Sequence, residues 1–374
     1  MRISDFETEH FFAKYEFSTP FQLCNSDCET ISIAELLTMA DVPMKNFGEL
    51  SLGYTQSLGH PELREKIAGS YENVTAEDVI MLASPVEGIY LAARAVLEPA
   101  DEVIVLTPAY DALVNVIEHI VGRANVHRWN FIAGKHQWEL DIGQLKKLIH
   151  LKTKLIVVNF PHNPTGFLPS QAQMDQLAEI VEQNNLLLFC DEIYFGLVHS
   201  GTKPIKSAAE MTKRSIVLNG LSKTYGLPGL RTGWLVIRDR ELRENIINWK
   251  SYTSICASAP SEFLAMAAWS VRQQLRDRSI ALIEHNLNLA DAFFQRWPQL
   301  FYWRRPMASS IALVRMDVPS VQAYATELAE RAGILILPAI SLGSDDQHMR
   351  MGFGRAAFGE ALQQFEQYLH TQFN

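Results

Sequence analysis

The residue with the clearest chemical potential is Lys223, in the run Leu218-Asn-Gly220-Leu-Ser222-Lys223-Thr-Tyr-Gly226-Leu-Pro228-Gly229-Leu-Arg231-Thr-Gly233-Trp. An apolar stretch ends just before it, small residues surround it, and Arg231 follows eight residues later. Two phosphate-binding patterns are excluded. A P-loop has Gly directly before its Lys, where this chain has Ser222, and Gly226, Gly229 and Gly233 do not make G-x-G-x-x-G. What is left is an amine on a flexible turn near a guanidinium that can hold an oxyanion. A solvated surface lysine is a weak alternative, because strand end, glycines and arginine converge.

Three other apolar runs end in polar residues. Leu186…Cys190-Asp191-Glu192-Ile-Tyr194 places carboxylates at the mouth of a buried strand. A carboxylate there needs a cationic partner or several donors; a helix cap or a solvated pair is the plain alternative. Asn159-Phe-Pro-His-Asn163-Pro-Thr-Gly166 stops its strand with prolines and a glycine and holds Asn163 in a rigid turn. Taken alone, that is a capped turn. Leu106-Thr-Pro108-Ala-Tyr110 presents an aromatic ring, which taken alone is ordinary packing.

These residues need a sheet to bring them together. Short apolar runs at Val79–Leu82, Val103–Leu106, Leu155–Asn159, Leu186–Cys190, Ser215–Leu218 and Trp234–Ile237 alternate with helical periodicity. Ile89, Ala92, Ala93, Val96 and Leu97 follow one helix face; Met174, Leu177, Ala178 and Val181 follow another, opened by a Ser170/Gln173 capping box. Strands alternating with helices predict a mostly parallel sheet covered on both faces, with ligands outside the carboxyl ends of its strands. After about Arg240 the texture becomes long helices (Glu241–Ser251, Glu262–Leu282), then strand-like Ser310–Met316 and Ile334–Pro338, then a helix carrying Leu362, Phe365 and Leu369. That predicts a smaller α+β domain, with the N-terminal 45 residues docked on it.

The chain has 374 residues, enough for two domains without metal or disulfide staples. Its charge, 33 − 42 = −9, without a basic run, opposes a nucleic-acid backbone binder. No apolar run approaches the length of a membrane span, and the first residues carry no apolar signal core. A cytoplasmic, soluble protein is expected. Four cysteines are too few for a disulfide scaffold; Cys24 and Cys28 lack a second pair, the eleven histidines do not cluster in sequence, and no metal is expected. The polar stretch Cys24-Asn-Ser-Asp27-Cys28-Glu29 reads first as an ordinary surface turn, the alternative being a cover over the mouth of a binding site.

In chain order, Asn163, Asp191, Tyr194, Lys223 and Arg231 are spaced by 191 − 163 = 28 and 223 − 191 = 32 between the first three motifs. This pattern resembles the class I/II aminotransferases, pyridoxal-phosphate enzymes of fold type I. The likeness runs from Ser51-Leu-Gly-Tyr54-Thr-Gln-Ser-Leu-Gly59-His-Pro-Glu-Leu-Arg64, through the Asn-Pro-Thr-Gly, Asp-Glu-Ile-Tyr and Ser-Lys-Thr-Tyr-Gly-Leu-Pro-Gly-Leu-Arg motifs, to Met349-Arg350-Met-Gly-Phe. It implies an α/β fold: a large cofactor domain over 46–270 with a mostly parallel seven-stranded sheet, and a small α+β domain from 1–45 and 271–374. It implies an aminotransferase that moves the amino group of an L-α-amino acid to a 2-oxo acid, with pyridoxal 5'-phosphate as cofactor. Lys223 would form the aldimine and move the proton, Asp191 would pair with the pyridine nitrogen, and Asn163 and Tyr194 would bond the ring's 3′-oxygen. Tyr110 would stack on the ring. Ser222 and Arg231, with the turn Ser84-Pro85-Val86, would hold the phosphate. Tyr54 would serve the neighbouring subunit's phosphate, which implies a homodimer with shared sites. Arg350, with Asn163, would take the substrate, Arg350 clamping its α-carboxylate.

The chain departs from the family at this phosphate turn. Gly-Ala-Ser-Glu-Ala is usual, and here it is Ser84-Pro85-Val86-Glu87-Gly88, while Gly220 stands where Ser is frequent. Pro85 has no N–H to donate. The helix is expected to begin near Glu87, with that carboxylate turned away from the phosphate. Relatives on this scaffold also eliminate, cyclise or oxidise, so a lyase, an oxidase or a cyclase resembling capreomycidine synthase is the alternative. A non-catalytic effector fused to a DNA-binding module lacks its basic helix-turn-helix stretch here.

Overall fold

Apolar runs without polar alternation become strands buried on both faces. In the computed structural model, which describes residues 2–373, six such strands and one edge strand form one seven-stranded sheet. They are β1 (Val79–Leu82), β2 (Glu102–Thr107), β3 (Val126–Asn130), β4 (Thr153–Asn159), β5 (Leu187–Asp191), β6 (Ser215–Gly220) and β7 (Gly233–Ile237). The order is β1-β7-β6-β5-β4-β2-β3, parallel except for β7, which runs antiparallel to β1 and β6. Successive side chains serve opposite layers: Val103 and Val105 of β2 join one core, Ile104 and Leu106 the other. Sequence reading finds six of these strands. It misses β3, an edge strand whose His127, Arg128 and Asn130 are only partly covered, so no apolar run marks it.

The helices that position the site are α1 (Glu7–Tyr15), α2 (Pro85–Val96), α3 (Ala112–Val121), α4 (Gln171–Gln183), α5 (Ala259–Ser270), α6 (Arg272–Arg296) and α7 (Phe358–Phe373). Helices α2 and α3 cover one face of the sheet and α4 and α5 the other. The capping box forms as expected: the Ser170 hydroxyl accepts from Gln173 N–H, and Gln173 Oε1 accepts from Ser170 N–H at 2.9 Å. Helix α2 begins two residues before Glu87, at Pro85, where a missing N–H costs nothing.

A second, antiparallel sheet has the order β8-β9-β11-β10, built from β8 (Phe301–Tyr302), β9 (Ile311–Met316), β10 (Leu337–Pro338) and β11 (His348–Gly352). It shares a core with α6 and α7 through Ile283, Leu287, Phe293, Phe365 and Leu369. The expected single helix Glu262–Leu282 is broken at Val271, which leaves helical geometry (φ −113°, ψ 15°) so that α5 serves the large sheet and α6 the small one. The expected strand Ile334–Pro338 is likewise split. Ile334–Leu335 pairs in parallel with Phe21–Gln22, whereas Leu337–Pro338 pairs with β11. No described helix is long and apolar enough to cross a membrane.

Candidate active site

The parallel strands end on one rim. Asn159 closing β4 lies in register with Asp191 closing β5. Gly220 closing β6 pairs with Gly233, which also pairs with Leu82 at the end of β1. Above this rim lies a cavity of about 420 Å³, lined by Pro85, Val86, Tyr110, Asn163, Asp191, Tyr194, Ser222, Lys223, Arg231 and Arg350 among others. Of the residues singled out from sequence, two are not on its wall. Ser84 stands behind it, its hydroxyl accepting from Arg231 Nη2 at 2.7 Å. Tyr54 is 95% exposed, beside Leu52, at a shallow recess bounded by Cys256–Pro260.

The strand register separates the two carboxylates of the Asp-Glu pair. Asp191 faces the cavity and accepts from Ile193 N–H at 3.0 Å. Burial pushes its carboxyl up to about 7, against that hydrogen bond and the Lys223 charge. Glu192 faces away and accepts from Ala208 N–H at 2.8 Å; burial pushes it up to about 8. Asn159 ties the neighbouring loop: its Nδ2 donates to Asp191 O at 2.7 Å and its Oδ1 accepts from Asn163 N–H at 2.7 Å.

Lys223 Nζ donates to Ser26 Oγ at 2.8 Å. Burial lowers its affinity for a proton, and Arg350 lowers it further, while Asp27 and Glu9 act the other way. Tyr194 is buried next to Ser26, and burial pushes its phenol up. Ser222 Oγ is buried, lines the cavity and has no partner among the described residues.

The unusual turn at Ser84–Gly88 has a packing cause. A Cβ on Gly220 would lie 2.9 Å from Pro85 Cγ and 2.9 Å from Thr232 O, and one on Gly233 also 2.9 Å from Pro85 Cγ. The proline ring, together with Thr232 O beside Gly220 and Asn219 O beside Gly233, leaves no room for a side chain at either position. Glu87 is turned back: its Oε2 accepts from Ala83 N–H at 3.0 Å, its Oε1 from Thr253 Oγ1 at 2.5 Å and Ser254 N–H at 3.2 Å.

Arg350, on β11, is only 2% exposed and is in no ion pair among the described residues. Its Nη2 donates to Cys24 O at 3.0 Å and its Nη1 to Asn163 Oδ1 at 3.4 Å, while Nε has no partner among the described residues. A buried guanidinium held only by neutral acceptors is a receptor for an anion.

The stretch Cys24–Glu29 is not a surface turn. Cys24, Asn25, Asp27 and Cys28 are buried, and Asn25, Ser26 and Asp27 line the cavity. Two glycines make room for it. A Cβ on Gly352 would sit 1.8 Å from Asn25 O, and one on Gly354 2.4 Å from Asp27 O. Gly352 N–H bonds Leu23 O at 2.8 Å and Glu29 N–H bonds Gly354 O at 2.7 Å, so the segment is strapped along β11. Sequence reading therefore misses Ser26 and Asp27, and also Thr8, Glu9, Phe12 and Glu16 from α1 and its end. Nor are all the histidines dispersed. His127 and His150 meet Glu102 beside the start of β2, their ligand atoms within 4.8 Å of one another, because β3 and the turn before β4 flank β2.

The family model described as "Aminotransferase class I and II" matches residues 38–362. A probable aspartate aminotransferase of Methanocaldococcus jannaschii is 29% identical over 263 residues, 66% of this chain and 68% of that protein. Capreomycidine synthase of Streptomyces vinaceus is 28% identical over 329 residues, 82% of this chain and 80% of the synthase. The crystal structure of a PLP-dependent aminotransferase from Streptococcus suis superposes with a TM-score of 0.92 at 25% identity, covering 100% of this chain and 99% of that one.

Proposed function

The chain belongs to the class I and II aminotransferase family, and from that premise we propose that it is a pyridoxal-5'-phosphate-dependent aminotransferase that passes the amino group of an L-α-amino acid to a 2-oxo acid. One observation carries the reading: a desolvated amine, a buried carboxylate, and a serine hydroxyl without a partner and a buried guanidinium without a counter-anion among the described residues share one cavity. These groups fit that cofactor. Lys223 offers the amine for covalent attachment, Asp191 an anion for the ring nitrogen, and Ser222 a hydroxyl for the phosphate, with Arg231 and the first turn of α2 beside it. When bound, pyridoxal 5'-phosphate supplies an aldehyde that takes up amino groups and a ring that accepts electron density.

The chain's own residues do the rest. Arg350 holds the substrate carboxylate, and its spare N–H donors give that grip two prongs. Lys223, less ready to hold a proton than a solvated lysine, would take the proton from substrate Cα and pass it to the carbon that carries the cofactor's aldehyde. Ser26 holds the lysine in line, and Tyr194 and Asn163 close the site from the sides. A partner cation lets Asp191 ionise at neutral pH in a place where burial alone opposes it.

A homodimer with shared sites is part of the proposal. Tyr54, Leu52 and Tyr252 are large and exposed, as a surface that meets a second copy would be. A cyclase or lyase on the same scaffold is the second reading, favoured by the likeness to capreomycidine synthase over 82% of this chain. The deciding experiment is a half-reaction. An amino donor alone should bleach the yellow cofactor band in stoichiometric amount, and a 2-oxo acid should restore it. Release of ammonia or a cyclised product, with the band unchanged after turnover, would favour the second reading.

A further inference from the structure

The cavity wall carries carboxylates that the proposed chemistry leaves unused. Glu9, Glu16 and Asp27 all line it, and all come from the N-terminal helix and strap. Asp27 is paired with Arg355 at 2.7 Å. Glu9 receives the Tyr110 hydroxyl at 3.0 Å and is in no ion pair among the described residues. Glu16 has no ion pair among the described residues; burial pushes its carboxyl up, followed by the charges of Asp27 and Glu9, while Arg355 and Lys223 act the other way.

A second observation marks where a ligand donor belongs. Asn25 is 9% exposed, lines the same cavity, and its Oδ1 has no partner among the described residues. The orientation of this amide follows from its neighbours. Gln22 Nε2 donates to the carbonyl oxygens of Glu16 and Thr19, so Gln22 Oε1 must accept, and it accepts from Asn25 Nδ2 at 2.8 Å. That leaves Asn25 Oδ1 as a buried acceptor with no donor among the described residues, an arrangement that costs free energy, on a residue of the cavity wall.

We infer that the amino-acid substrate has a cationic side chain, a guanidinium or an ammonium, received by Glu9, Glu16 and Asn25 while Arg350 takes its carboxylate. The inference rests on the aminotransferase-type reading of the cavity. An acidic side chain would meet the carboxylates of Glu9 and Glu16 there, and a neutral one would give neither of them a cation. Several relatives are named aspartate aminotransferases; this wall is built against such a dicarboxylate.

The test is titration of the cofactor-loaded protein with L-arginine, L-lysine, their neutral counterparts L-citrulline and L-norleucine, and L-aspartate. Cofactor absorbance and binding heat are both recorded. At least one cation should bind about tenfold or more tighter than its neutral counterpart, with aspartate weakest, since a charge-assisted contact is lost. Glu9→Gln and Glu16→Gln should each shrink that cation-to-neutral ratio by about fivefold or more. Glu9 is exposed, so its variant keeps the test valid if the other fails to fold. Equal binding of arginine and citrulline and of lysine and norleucine, preference for aspartate, or ratios unmoved in both variants would overturn the inference alone. No absorbance or heat response to any amino acid would overturn the underlying reading as well.

Discussion

Arg350→Ala should cripple every amino-acid substrate to about the same degree. The guanidinium has five N–H donors, and the structure commits two of them, one to Cys24 O at 3.0 Å and one, at 3.4 Å, to Asn163 Oδ1. Three remain for a ligand, enough for a two-pronged grip on a carboxylate. Truncating one partner of a buried charged pair costs about 2–5 kcal/mol, much of it the penalty of leaving the other charge unpaired. At about 1.4 kcal/mol per factor of ten, kcat/KM should fall between roughly 30-fold and several-thousand-fold. Both existing partners of Arg350 are neutral, so the folded chain loses no ion pair, and circular dichroism should match the parent. The assay compares kcat/KM for a cationic, a neutral and an aromatic amino acid. A uniform fall assigns Arg350 to the carboxylate they share. Losses that differ between these substrates by more than about tenfold would place the side chain at Arg350 and refute the assignment.

Arg231→Ala should lose cofactor almost completely on dialysis and Ser222→Ala only a modest factor, because a charged hydrogen bond contributes about 1.5–3 kcal/mol and a neutral one about 0.5–1.5; equal retention, read by absorbance, would show that other groups carry the phosphate. In cofactor-free protein, burial raises Asp191 from 3.8 to about 7 and Glu192 from 4.5 to about 8, so the stability tied to their protons is full below the lower values and lost as pH rises through the higher ones. Tm should therefore fall from about pH 5 to about pH 8, and Glu192→Gln should flatten that fall; an unchanged slope would contradict the burial argument. Sedimentation should give a dimer burying more than about 2,000 Å² in total, and Tyr54→Phe should weaken cofactor retention in it; a fully active monomer would remove Tyr54 from the site.

What the sequence makes legible is whatever depends on local pattern. Prolines and glycines after Asn159 and Leu218 announce strand exits, and the residue types there name their chemistry before any coordinates do. Which of Asp191 and Glu192 faces the ligand depends on register against β4 and β6, which no single strand encodes. The strap at Asn25–Cys28 looks like a surface turn because its own residues are polar; it is buried by Gly352 and Gly354 far downstream, whose missing side chains open its groove. Those two glycines flanking Phe353, read together with Glu9, Glu16 and Asp27, were the available signal. Edge strand β3 escapes for the converse reason, since one of its sides faces solvent and needs no apolar run. The departures Pro85, Val86 and Gly220 read in sequence as lost donors, whereas in space Pro85 packs into the room left by Gly220 and Gly233.

The central claim is that Lys223 is the amine that holds the cofactor. Borohydride reduction of the purified yellow protein fixes the cofactor onto whichever amine carries it, and peptide mass mapping then locates it. The modification should fall on the peptide containing Ser222-Lys223-Thr224, in about one equivalent per chain, and Lys223→Ala should show neither the yellow band nor the modified peptide. Modification of a different lysine, or a borohydride-fixed cofactor that survives in Lys223→Ala, would contradict it.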